Sequence, residues 1–273
     1  MDNKFNNMLQ EFLKKNNVKD IDEANEKLQE FIKMYNNGEI EYKNTPLDDA
    51  YEILEEAQNA RNEKEALRLA KKAYEKSSKC FDAILFQCDL EENGIKRMKI
   101  LDDGLEFEKN RLTKEKYFDK ENIGHFYGVF ETRPYIRGLA TKAKYLLEEG
   151  KLRQAANVCK EVLKLNKNDN LGVRYLLMAI YATLEEEKDM LDLYKKYPEE
   201  DLEMLFPLFA IYYKIGNDKK ARDYLNRIDK CNSNFVEYFK GTIKPSKKIN
   251  PGYYSRGDSS EIFMYLERYD YLL

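Results

Sequence analysis

The chain has 273 residues, 36% of them charged, and its 47 Lys and Arg nearly balance 50 Asp and Glu, for a formal charge of -3. That balance argues against a nucleic-acid-binding protein, in which a dominant phosphate interaction needs an excess of cations. One His, four Cys and no Trp leave little material for His-dependent catalysis or metal ligation.

The length suits one large or two small domains. At the N-terminus, Met1 to Leu13 mixes Asp2, Lys4 and Glu11 into apolar residues, unlike a secretory leader. Phe5, Met8, Leu9, Phe12 and Leu13 share one helical stripe. After Asp20 or Asp22 as N-cap, Ala24, Leu28, Phe31, Ile32 and Tyr35 form a second stripe that ends at Asn37-Gly38. The polar stretch Glu39 to Asn44 reads as a linker. Thr45-Pro46 then reads as an N-cap and first-turn proline, with Asp48 three residues after the cap.

From Leu47 onward the pattern becomes a repeat. Leu47 to Cys80 carries Ala57, Ala66, Ala70 and Ala73 but no turn glycine. Gly94 to Leu112 reads as one longer helix, with Asp102-Asp103 on a solvated face. The most regular unit has Leu139, Ala143 and Leu146, a break at Gly150, then Ala155, Cys159, Val162 and Leu163. A second has Leu205, Leu208, Phe209 and Tyr212, then Gly216, then Ala221, Leu225 and Ile228. The two glycines are 66 residues apart, as are Ala155 and Ala221. That separation is two periods of 33, or two of about 34 with a short unit between. The unit between carries Glu185-Glu186-Glu187 at its turn. Each hairpin has an apolar face that only stacking can bury.

This spacing resembles tetratricopeptide repeats, with small residues at helix crossings and glycine in the turn; the consensus Trp and Pro positions are not kept. The expected fold is all-α: a tetratricopeptide-type right-handed α-solenoid of about five helical hairpins with a C-terminal capping helix. Its expected divisions are a helical pair over 1–40, the solenoid over 45–241, and an extended linker with the capping helix over 242–273. In that last helix Asp258 or Ser259 is the cap, Glu261 completes a capping box, and Ile262, Tyr265, Leu266, Tyr269 and Leu273 form one stripe.

Three segments narrow the resemblance. They are His125 to Gly128 running into Glu131 to Arg137, Asn168 to Tyr175, and Pro251 to Ser255 with Gly257 and Glu261. Together they resemble a group of bacterial tetratricopeptide-repeat proteins, distantly similar to the suppressor-of-tumorigenicity-7 family, with Tyr127 where Trp is expected. The resemblance implies a helical-repeat scaffold without enzymatic activity.

On such repeats the second, fifth and ninth positions of each first helix line the concave side. Those positions, with Tyr213 three residues beyond, bring Arg137, Lys144, Arg174, Phe206 and Tyr213 into one expected groove, and Arg133, Tyr135 and Tyr175 join them as the partner-binding set. Cations beside aromatic faces suit a carboxylate with an apolar side chain, such as a peptide C-terminus or an acidic motif. The alternative for these arginines is pairing with helix termini or neighbouring carboxylates. Thr132-Arg133-Pro134 reads as a hydroxyl cap before a first-turn proline, and Gly172 as a position of close helix approach. His125 reads as a packed residue, and the four cysteines as reduced, mostly packed thiols.

The expected function is a protein- or peptide-binding scaffold, with a peptide-responsive regulator as the alternative. No enzymatic activity, cofactor, metal, nucleic acid or membrane is expected. The longest apolar run, Leu205 to Tyr213, has nine residues against about 20 for a membrane span. A cytoplasmic monomer or weak homodimer follows from the same reading.

Overall fold

A computed structural model of the chain describes residues 3–18, 20–40, 42–243 and 255–269. Among them the periodic stretches are helices and no strand forms. No helix among the described residues is long and apolar enough to cross a membrane. Packing divides the chain into two compact units, Met1–Arg111 and Leu112–Leu273.

The first unit contains α1 (Asn3–Lys15), α2 (Ile21–Asn36), α3 (Pro46–Gln58), α4 (Glu63–Lys76), α5 (Asp82–Asp89) and most of α6 (Gly94–Lys114). Asp20 caps α2 by accepting from the Asp22 and Glu23 amides. Thr45 and Asp48 form the reciprocal capping box of α3 behind first-turn Pro46. The 1–40 pair is packed within this unit, since α1 meets α3 as well as α2. Ala57, Ala66, Ala70 and Ala73 are buried where α3 and α4 cross, because a methyl side chain lets two backbones approach. The α3–α4 turn visits no positive φ, so it needs no glycine. Helix α6 is the long helix expected, and Gly104 is its contact point: a Cβ there would sit 2.8 Å from Ile84 Cγ2 and 3.2 Å from Phe81. Asp102 is half-buried and Glu108 fully buried, the latter held by Arg111, so this acidic helix is not solvated all round.

The second unit opens with an irregular stretch that folds onto α7 (Arg133–Glu148). Phe118 packs edge-on against Phe126 and Tyr135. The Thr132 hydroxyl does not cap α7. It donates back to the carbonyls of Phe126 and Val129, which fixes this stretch instead. His125 is exposed here, not packed.

Three hairpins follow: α7 with α8 (Leu152–Leu165), α9 (Val173–Leu184) with α10 (Glu187–Lys196), and α11 (Leu202–Lys214) with α12 (Asp218–Cys231). Helix α8 packs on α9, and α9 also packs on α11, the first helix of the next hairpin. The turns place Gly150, Glu185 and Gly216 at φ of 72°, 58° and 72°. The spacing is therefore 35 residues and then 31, not twice 33. The reason is visible in the second helices, which have 14, 10 and 14 residues. Helix α10 has lost about one turn. Gly172 differs from its expected role: it sits at φ 66° ahead of α9, where its freedom serves the turn and not a helix crossing.

Helix α13 (Ser233–Phe239) and α14 (Ser259–Tyr269) pack on one another at the C-terminal end. Asp258 caps α14 through the Ser260 amide. Glu261 departs from a capping box: it is buried and accepts from the Gly257 amide and from Asn232 Nδ2. Ile262 and Tyr265 of its expected stripe are buried. Leu273, the Tyr269 side chain, and the 244–254 connection with Tyr253 and Tyr254 lie outside the described residues.

Two substitutions test these constraints. Glu185→Gly relieves a left-handed side-chain conformation and is expected to raise unfolding stability by about 0.5–1 kcal/mol, net of the entropy of the added glycine. Gly104→Leu forces α6 away from α5 and is expected to cost about 1–3 kcal/mol. Both are read from chemical denaturation midpoints.

Candidate functional site: an aromatic row and a closed ion cluster

The sequence-selected residues fall into four settings. Arg133 and Tyr135 belong to the junction before α7. Arg133 Nε donates to the Tyr127 carbonyl at 2.6 Å, and its guanidinium lies over the Phe130 ring at 4.1 Å. Tyr135 is buried against Phe118. These two side chains hold the preceding stretch to the helix. Arg137 and Lys144 are exposed and lie two turns apart on one side of α7.

Arg174 and Tyr175 form a closed cluster. Asp169, at φ 47°, turns its carboxylate under α9 and accepts from the Val173 and Arg174 amides, both at 2.9 Å. Arg174 then pairs with Asp169 and with Glu199, each at 2.9 Å. Its Nη2 also donates to Tyr175 Oη at 2.7 Å. Tyr175 Oη lies 2.7 Å from Glu199 Oε2 and 3.0 Å from Asp201 Oδ2. Asp201 caps α11 through the Met204 amide. This is the pairing alternative for Arg174: its guanidinium is enclosed by groups of its own chain.

The electrostatics match. Burial pushes the Asp169 carboxyl above its ordinary range, against the pull of the Arg174 and Val173 amides and the Arg174 side chain. Burial raises Asp201 as well. Burial also acts on Glu199, but hydrogen bonds from Tyr175 and Arg174 outweigh it and hold Glu199 low. Tyr175 is pushed up by burial and by its carboxylate neighbours. The two anions that Arg174 faces, Asp169 and Glu199, are thus internal, and Asp169 also accepts from the first amides of α9.

Phe206 and Tyr213 belong to an aromatic row that runs from the interior to the surface. Phe206 is buried at the crossing of α11, α13 and α14, with Phe235 at 5.1 Å and Tyr265 at 5.3 Å. From it the row leads to Phe209 at 5.8 Å and on to Tyr213 at 5.9 Å. Phe239 stacks on Phe206 at 6.1 Å. Tyr213 is 70% exposed and Phe239 53%, an unusual state for rings in a packed row. Phe209 and Phe239 were missed by position counting, although Phe209 stands at helical spacing from both Phe206 and Tyr213.

Elsewhere, the first unit has an open cavity of about 920 Å³ bordered by Lys14, Tyr42, Pro46, Tyr74, Ser77 and Lys79. Its further ammonium, Lys76, is paired with Asp49 at 2.7 Å. Burial pushes the Cys80, Cys88 and Cys159 thiols up to about 12 and Cys231 up to about 11, so all four are protonated at neutral pH.

No protein-family model matches the chain, and no curated protein is significantly similar to it. The likeness to helical-repeat families therefore stands on the residues and spacings already described.

The two kinds of cation are separable by mutation. Arg174→Met leaves Asp169 and Glu199 without their counter-charge and is expected to cost about 3–5 kcal/mol. Lys144→Met is expected to leave the denaturation midpoint unchanged. Urea titrations of both variants at neutral pH make the comparison.

Proposed function

We propose that the protein is a helical-repeat adaptor whose hairpins in residues 112–273 stack in the tetratricopeptide manner, with a right-handed turn, and that it binds a protein or peptide. The observation that supports this most is the aromatic row, with Tyr213 and Phe239 left open to solvent beside buried Phe206. Rings fixed by their neighbours lose little entropy on binding and offer large apolar area, which is why such residues dominate binding hot spots. Arg137 and Lys144 are the exposed cations of the set and give an acidic segment or free C-terminus a long-range attraction. Arg174 and Tyr175 act as the rigid support of the binding helices and not as contacts.

The reading assigns no catalytic step. Arg174, Tyr175, Glu199 and Asp201 form one hydrogen-bonded cluster, with Arg174 closing it. A cytoplasmic setting, where thiols stay reduced, suits four unpaired cysteines.

Affinity capture tests the site. The wild-type chain is compared with a Tyr213→Ser/Phe239→Ser variant of equal helicity and with Arg137→Glu/Lys144→Glu. A partner held by wild type should be lost, by tenfold or more in Kd, from the aromatic variant, and should show weaker salt dependence with the charge variant. Equal binding by all three proteins removes this surface from consideration.

A further inference from the structure

The Tyr175 hydroxyl stands between more acceptors than it has protons. It accepts from Arg174 Nη2 at 2.7 Å and faces Glu199 Oε2 at 2.7 Å and Asp201 Oδ2 at 3.0 Å. A phenol donates one hydrogen bond. Donation along the shorter contact satisfies Glu199. The contact with Asp201 then joins two oxygens with no proton between them, unless Asp201 itself carries one and donates it to the remaining lone pair of Oη.

We infer that Asp201 is a proton-binding site: protonation of its Oδ2 completes the hydrogen bonding at Tyr175 and tightens the joint between the α9–α10 and α11–α12 hairpins, and ionisation loosens it. The other oxygen is already committed, since Oδ1 accepts from the Met204 amide at 3.0 Å and keeps capping α11 in either state. The charged and titratable groups around Asp201 come from α9, the connection before α11, α12 and the turn before α14. From α9 come Arg174 and Tyr175, and Arg174 is shared with Asp169 and Glu199. The connection before α11 supplies Glu199, a like charge. The end of α12 supplies Cys231, a neutral thiol at ordinary pH. The turn before α14 supplies Arg256, 3.6 Å from Oδ2 but 69% exposed and so largely screened.

Burial is the leading cause of the upward shift at Asp201, and the Glu199 charge adds to it; the Met204 amide and Arg256 pull the other way, as would the Tyr175 proton were it given to Asp201 and not to Glu199. A carboxyl raised on folding contributes stability that is full below its unfolded value of about 3.9 and is lost as pH rises through the folded value. This is opposite to the behaviour of an ordinary ionised helix cap.

Asp201→Asn provides the test. Its amide N–H donates to Tyr175 Oη as the protonated acid would, and its Oδ1 can still cap α11. Melting temperatures of the full-length wild type and variant are measured from pH 4 to pH 7.5. The variant should gain on wild type as pH rises, with the gap opening by about 2–4 °C. A gap that is flat, or that moves against the variant with rising pH, overturns the inference. Carbon-13 NMR titration of the Asp201 carboxyl in the wild-type chain gives an independent reading that does not depend on the variant folding. A midpoint above about 3.9 agrees with the inference, and one at or below it overturns it.

Discussion

Three tyrosine hydroxyls join the α9–α10 hairpin to the α11–α12 hairpin, and each does so with the same chemistry. Tyr175 donates to Glu199 and accepts from Arg174. Tyr212 donates to Glu187 and accepts from Lys220. Tyr194 donates to Glu200 and accepts from Arg227. In each clasp the phenol lies between an acid and a cation, and both are held at hydrogen-bonding distance. The clasps differ in depth. The Arg174 side chain is 13% exposed, Arg227 25% and Lys220 49%. Charge pairs gain and cost more as solvent withdraws, so the Arg174 clasp dominates and the Lys220 clasp is close to a surface ion pair.

The clasps lie at the joint beside the shortened helix. Helix α10 is one turn shorter than α8 and α12, so the middle hairpin has less side-chain surface to set against the next one. Met190 occupies the fourth position of α10, where Ala155 and Ala221 stand in α8 and α12, and is fully buried. A longer side chain there fills space that a close alanine crossing would otherwise remove. Directional polar contacts then fix the register that reduced packing leaves open. The unequal spacing of 35 and then 31 residues thus follows from the shorter α10, and the methionine and the clasps accompany it.

Local chemistry was legible in the sequence wherever a residue type has one physical reason to be where it is. The Thr45-Pro46-Asp48 box, the Asp20 cap, the buried alanines of α3 and α4, and Gly150 and Gly216 at left-handed turns all follow from short-range rules. Glu185 did not, because a glutamate can take the same left-handed conformation at a strain cost that composition does not display. Thr132 misled because a hydroxyl before a proline can cap forward or donate backward, and only the fold of residues 118–130 decides. Arg174 was selected for exposure by repeat position, yet Glu199, 25 residues on, encloses it. Pairing at that range depends on how two hairpins stack, which a periodic pattern does not specify.

The same distinction bears on what a binding position means in a repeat protein. Counting along a helix finds the side chains that point toward the neighbouring hairpin or toward solvent, but it does not say which. Phe206 and Tyr213 are two turns apart on α11, yet the first is buried and the second is 70% exposed. The difference is α13 and α14, whose Phe235 and Tyr265 rings cover the N-terminal half of the row and stop short of the other. The α13–α14 pair therefore does more than cover apolar side chains. It sets how much of the row stays open, and it holds the remaining rings in fixed orientations by packing their bases. A row built this way derives its rigidity from the core beside it, through the contacts of Phe206 with Phe235 and Tyr265.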